Sequence, residues 1–312
     1  MPNAPAPRGP LSGAVLAALH TAPGLLTVDD ATALDLQRIA DPLGDDDLHL
    51  ALYCCYELHY RGIDGVDERW EWDPALLALR ARLEGVFERG LSRALAGWVP
   101  PRADATTMDL ALRAIGDADD SPSLSRHLET RGTAEQFREF LVHRSAYQLK
   151  EADPHSWAIP RLSGPPKAAL VEVQSDEYGG GDPARVHAVL FARTMRALGL
   201  DERYGAYLDV LPGVTLATVN LMSFFGLHRR HRGKVVGHLA LFEMTSSIPN
   251  RRYATGLRRL GLTDADATTF FDEHVTADAV HENIAAVDLA GGLVRCEPPL
   301  IDDILLGARA LV

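Results

Sequence analysis

The sequence predicts an all-α protein: a helical bundle with an additional N-terminal helical region. Three observations carry this. Apolar residues recur at helical spacing along most of the chain. The periodic stretches are long, and Gly- or Pro-marked turns separate them. Alternating apolar and polar runs closed by hairpin turns are scarce, and no internal repeat is visible.

Residues 1–12 are rich in Pro and Ala, lack a signal-peptide core, and read as a disordered tail. Residues 13–125 read as the N-terminal helical region. Helices are expected at Leu11–Ala22, Ala31–Ala40, Leu48–Arg61 and Pro74–Ala96, with a short one at Met108–Ile115. Asp73 suits the N-cap of the fourth, with Pro74 at its first position. Pro100, Pro101, Pro122 and the acidic run Asp117 to Asp120 mark a junction. Residues 126–312 read as the main domain. Its expected helices are Ala134–Glu151, Pro165–Glu177, Pro183–Leu198, Ala206–Leu211, Val214–Leu227, Lys234–Met244, Arg251–Leu260, Asp264–Ala290 and Ile301–Val312.

The net charge is -12, from 43 acidic against 31 basic residues, which argues against a nucleic-acid partner. The densest basic stretch, His228 to Lys234, reads as a solvated turn. No window approaches the roughly 18 uninterrupted apolar residues of a membrane span. Cys54, Cys55 and Cys296 match neither a disulfide framework nor zinc spacing, and suit a reducing, cytoplasmic setting.

The clearest chemical feature is His274-x-x-x-Asp278-x-x-His281. At about 100° per residue these side chains leave one face of a helix within two turns. Two imidazoles and a carboxylate so placed suit iron, zinc or manganese. A metal in a bundle core draws carboxylates from facing helices. Glu243 sits in the strongly apolar run Val235 to Met244, where an unpaired carboxylate is costly to bury, with His238 as a competitor on the same helix. Glu177 and His187 flank Gly179-Gly180-Gly181-Asp182-Pro183. That run should break the helix, fold the chain back and start a new helix with Asp182 as N-cap. Asp176 and Glu172 are alternatives to Glu177. Glu151, just before Pro154, is the candidate from the first bundle helix, with His143 and His155 as rivals. Tyr56 to Arg61 reads as packing and hydrogen bonding, since Glu57 and His59 point to different sides of a helix.

These residues resemble the haem-oxygenase-like diiron oxidases and oxygenases, the iron-containing redox enzymes. The resemblance covers roughly Glu135 to Gly291 and lies in the order Glu151, Glu177 and His187, Glu243, then His274, Asp278 and His281. It implies a haem-oxygenase-like helical bundle holding two Fe ions, cycling between Fe2+ and Fe3+, with O2 as co-substrate and no haem. It implies oxidation of a small-molecule substrate by amine N-oxygenation, or by oxidative desaturation or C–C cleavage, with an external electron donor among the partners. The N-terminal region resembles the additional helical part some members carry and implies a homodimer. Two other readings stay open. One is a metal-independent oxidase of the same fold, of the quinone-cofactor-biosynthesis type. The other is a non-enzymatic helical binding protein. Tyr147, Trp157, Tyr178, Phe191, Arg193, Asn220, Phe224 and Phe225 are candidates to line a substrate pocket.

Overall fold

The computed structural model describes residues 1–26, 36 and 39–312; the side chains of 278–280 lie outside this description. The Ala31–Ala40 helix expected from the sequence falls almost wholly outside the described residues. Among those that are described no strand occurs, and the protein is all-α.

The helices are α1 Pro10–Leu19, α2 Asp46–Glu57, α3 Pro74–Ala94, α4 Met108–Asp117, α5 Leu124–Thr130, α6 Ala134–Gln148, α7 Asp153–Ser156, α8 Gly164–Glu177, α9 His187–Ala197, α10 Gly213–Leu227, α11 Arg232–Arg259 and α12 Ala265–Asn283. A π-helix at Ile284–Gly291 then leads into α13 Gly292–Cys296, and α14 Ile301–Arg309 closes the chain. They fall into two compact units, residues 1–97 with 203–224, and residues 98–202 with 225–312.

In the first unit Asp45 caps α2 at Leu48 N (2.7 Å). Asp73 caps α3 at Ala75 N and Leu76 N, both 3.0 Å, as its sequence position predicted. Residues 1–12, expected as a tail, are instead tied down. Pro2 O accepts from Asp64 N (2.9 Å), Ala6 N donates to Asp209 Oδ1 (2.8 Å), and Asp47 accepts from Leu11 N and Ser12 N. Paired backbone groups and a buried Leu11 offset the ordering entropy that composition alone suggested would win. Within Tyr56–Arg61 the packing reading holds: buried Glu57 accepts from Tyr204 Oη (2.5 Å), and His59 Nδ1 lies 3.1 Å from Glu71 Oε1.

In the second unit α11 is the central element, packed against α12 and α14. The sequence predicted two helices here, Lys234–Met244 and Arg251–Leu260. The structure has one, running through Pro249. Proline removes one backbone bond, at a cost of about 3 kcal/mol. Burial of Val235, Val236, Leu239, Leu241, Tyr253 and Leu257 along the same helix outweighs it. The close approach of α14 requires glycine: a methyl on Gly237 would fall on the Ile304 carbonyl, and one on Gly307 on the Lys234 carbonyl. The segment 98–125, read as part of the N-terminal region, clusters with this unit, because α4 buries Met108, Leu112 and Ile115 and packs on the π-helix and α11. None of the described helices is long and apolar enough to cross a membrane.

Candidate metal centre

Five elements of the second unit carry the candidate residues: the turn after α6, and helices α8, α9, α11 and α12. Helix α6, capped by reciprocal Thr133–Gln136 bonds, ends at Gln148, three residues before the expected Glu151. Glu151 therefore sits in the turn that follows. The next residue, Ala152, has φ 74° and ψ -31°, the only positive φ at a non-glycine among the described residues. That conformation costs on the order of 1 kcal/mol or more and survives only where surroundings enforce it. Here Gln174 Nε2 donates to Ala152 O (2.9 Å) from α8.

Helix α8 delivers Glu177 as its last residue. The three glycines that follow have φ of 74°, 61° and 90°, which only glycine adopts freely, and the chain folds back as expected. The new helix does not begin at Pro183 as the sequence suggested. Asp182 Oδ1 accepts from Ala184 N (2.9 Å) in a turn, and α9 starts at His187. The shift makes His187 the first helical residue and sets its Nδ1 2.9 Å from Glu177 Oε2.

Helix α12 supplies His274 and His281. His274 Nδ1 donates to Phe270 O (2.7 Å), which turns Nε2 toward Glu151 Oε1 at 3.6 Å. His281 Nε2 donates to Asp176 Oδ2 (2.9 Å), which leaves Nδ1 facing Glu243 Oε2 from α11 at 3.3 Å. The His187 and His274 rings lie 4.3 Å apart, centroid to centroid. The backbone of Asp278 belongs to the same helix, but its side chain lies outside the described residues.

Two groups result. Glu151, Glu177, His187 and His274 offer ligand atoms all within 4.8 Å of one another, and so do Glu177, Glu243 and His281. Glu177 belongs to both. All six side chains are buried. Three buried carboxylates in so small a volume repel one another and have lost water. Glu151 and Glu177 also lie at or just beyond helix C-termini, where the unpaired carbonyls disfavour a negative charge. The imidazoles compensate in part. Burial pushes the Glu177 carboxyl up, but His187, His274 and His281 overcome this and bring it to about 2. Burial pulls His281 down, while Glu243 and Asp176 lift it to about 9.

Three buried atoms test whether a metal fits. Glu151 Oε2 has no hydrogen-bond partner, while His187 Nδ1 and His281 Nδ1 face only the carboxylates of Glu177 and Glu243, at 2.9 and 3.3 Å. Such atoms are rare unless something else satisfies them. Carboxylate oxygens and imidazole nitrogens suit iron, manganese or zinc. The Phe270 carbonyl and the Asp176 carboxylate set the two imidazole tautomers as partners of metal-bound histidines do. The residues fit a metal.

The alternatives separate cleanly. His238, the competitor of Glu243, pairs with His155 (Nδ1 to Nε2, 3.2 Å), and burial holds both below the usual histidine range. Asp176, the alternative to Glu177, is mostly exposed and touches His281 from outside. Of the pocket candidates, Tyr147 lines a small cavity of about 10 Å³ with Gln174, Phe242 and the carboxylates. Phe191 packs on Phe270, Asn220 bonds His49 O, and the Tyr178 hydroxyl donates to Asp153. Gln174 was missed from the sequence. A polar side chain three residues before Glu177 shares its helical face, and that spacing was the available signal.

Comparison with known proteins agrees with this geometry. The family model described as iron-containing redox enzyme matches residues 138–312, which include every candidate ligand. The chain is 27% identical over 241 residues to nitrosourea synthase of Streptomyces achromogenes subsp. streptozoticus. The aligned stretch takes in 75% of this chain and 51% of that protein, so the chain spans about half the length of the curated relative it matches. By the extent of the family match and the residues it contains, the chain belongs to the iron-containing redox enzyme family.

Proposed function

We propose that this protein is a non-haem diiron oxygenase that uses O2 to oxidise the nitrogen of a small amine. The observation that carries the reading is the pair of buried carboxylate–imidazole groups sharing Glu177. Glu151, His187 and His274 would hold one ion, and Glu243 and His281 the other. Glu177, common to both groups, would contribute to each, and Asp278 is a further candidate by its sequence spacing. Two iron ions held there supply the electrons and open positions that O2 activation needs.

The chain's own residues do the rest. Tyr147, Leu239 and Phe242 wall the narrow space beside the carboxylates, about 10 Å³, and would limit the entry of bulk water. The carboxylates would hold the ions, and the Phe270 and Asp176 partners keep the imidazoles oriented toward them. In the proposed reaction one atom of O2 enters an N–H bond to give a hydroxylamine and the other leaves as water. Two electrons from an external donor and two protons complete the balance. Nitrogen as the target draws support from the similar protein, whose name describes a product with oxidised nitrogen.

The test is anaerobic loading with Fe(II), metal analysis, and stopped-flow absorbance on mixing with O2. About two irons per chain and an O2-dependent transient are expected. Less than half an iron per chain, or no spectral change, overturns the proposal and favours a metal-independent oxidase or a binding protein.

A further inference from the structure

The short helix α7 and the turn before it, which carries Glu151, are held from three sides. His155 pairs with His238 of α11 (3.2 Å). The Gly226 backbone comes so close that a methyl there would fall on the Pro154 carbonyl. From α8, Gln174 Nε2 reaches Ala152 O (2.9 Å) and Ser156 Oγ (2.8 Å). Ser156 in turn meets the Tyr178 hydroxyl (3.0 Å), which donates to Asp153 Oδ1 (2.8 Å).

Of these, Gln174 acts on Ala152 itself. The backbone bonds that close the turn are long: Glu151 N to Gln148 O is 3.4 Å and Asp153 N to Lys150 O is 3.2 Å. Bonds of that length do little to hold an alanine at φ 74°. Gln174 is 2% exposed, so its bond to the Ala152 carbonyl forms away from water, where it is stronger. A carbonyl only accepts, which fixes the amide with Nε2 toward the turn. Gln174 also stands three residues before Glu177 on one helical face of α8.

We infer that Gln174 is a positioning residue for the metal centre: its amide holds the strained turn at Ala152 and so sets Glu151 opposite His274. Because its own helix carries Glu177, one side chain fixes the spacing of two carboxylates far apart in sequence. The inference rests on the diiron reading for what those carboxylates bind, but not for the turn itself. Glycine adopts a positive φ freely. A glycine at 152 therefore removes the need for the amide.

The experiment compares the full-length wild type with Gln174→Met, which keeps the length and loses the donor, with Ala152→Gly, and with the double variant. Fe(II) is titrated anaerobically against a competing chelator, and the metal-free proteins are unfolded in urea. Gln174→Met is expected to weaken one ion by roughly 10- to 100-fold and to lower the urea midpoint. Ala152→Gly alone should keep the wild-type iron affinities. In the double variant most of both losses should be recovered, a coupling that simple loss of packing at Gln174 does not produce. Unchanged iron affinities in Gln174→Met, or equal losses with alanine and with glycine at 152, overturn the inference. Should Gln174→Met fail to fold, a folded double variant supports the inference and an unfolded one overturns it. A wild type that takes up less than half an iron overturns the diiron proposal, and the metal-free urea series still decides whether Gln174 holds the turn.

Discussion

Glu177 is the residue through which the two ligand groups meet, and its replacement should be the most damaging. Glu177→Ala is expected to bring bound iron below one ion per chain, whereas Glu243→Ala should retain about one; metal analysis after gel filtration decides. Asp278→Ala should likewise cost one ion. Asp176 acts through His281, holding the Nε2 proton so that Nδ1 faces inward. Asp176→Asn should keep two irons at saturation but weaken the second site by roughly 10- to 100-fold, read by titration with a competing chelator. A stoichiometry of one would contradict that assignment. Far from the centre, His49 shows how burial sets pH dependence. Burial, only partly countered by the Pro42 carbonyl and nearby aspartates, lowers its pKa from 6.5 to about 4. The unfolded chain then binds more protons between those values. Stability from this residue is complete above about pH 6.5, and about 3 kcal/mol is lost as pH falls toward 4. The acid limb of urea-unfolding midpoints should flatten in His49→Gln. At this scale the sequence was legible for ligand type in part: Glu243 stood out as a carboxylate in an apolar run, and His274, Asp278 and His281 by their one-face spacing. The rivals could not be separated, because His155 and His238 are as buried as the ligands and only their pairing removes them.

At the scale of elements the site depends on how helices end. A turn at Ala152, the three-glycine fold-back and the first turn of α9 place Glu151, Glu177 and His187. The fold-back could be read from glycines and proline, since their conformational limits are local. The positions of Glu151 and His187 beyond and at the start of helices could not. Whether a helix stops at 148 or 151, or starts at 183 or 187, is a matter of one or two backbone bonds, easily shifted by tertiary packing. Ala152→Gly should relieve the turn and raise unfolding stability by about 1 kcal/mol, measured in urea. A loss of stability would show that the Ala152 methyl packs better than the turn is strained. The contact of α11 with α14 tolerates no side chain on its glycines. Gly237→Ala should lower stability by about 1–3 kcal/mol or more, with a fall in iron content because Glu243 rides on the same helix.

At the scale of the molecule, a metal held by the candidate groups would be linked to the folding of the second unit, where those groups lie. Iron that binds only the native form should raise its unfolding free energy by about 2.7 kcal/mol at a hundredfold excess over Kd. Calorimetry with and without chelator should show the midpoint of that unit shifting while the first unit's stays put. By itself, the sequence determined the all-α class, most helices and the fold-back, and it narrowed the candidate ligands to a short set with rivals. Helical period, turn residues and the cost of burying charge are properties of short stretches of chain. Only the tertiary structure decided that α11 runs unbroken through Pro249, that residues 98–125 cluster with the second unit and 203–224 with the first, and that Glu177 serves both ligand groups. Those outcomes depend on contacts between residues far apart in sequence. A helix break is outweighed by buried surface on either side of it, and a shared candidate ligand exists only where five separate elements meet.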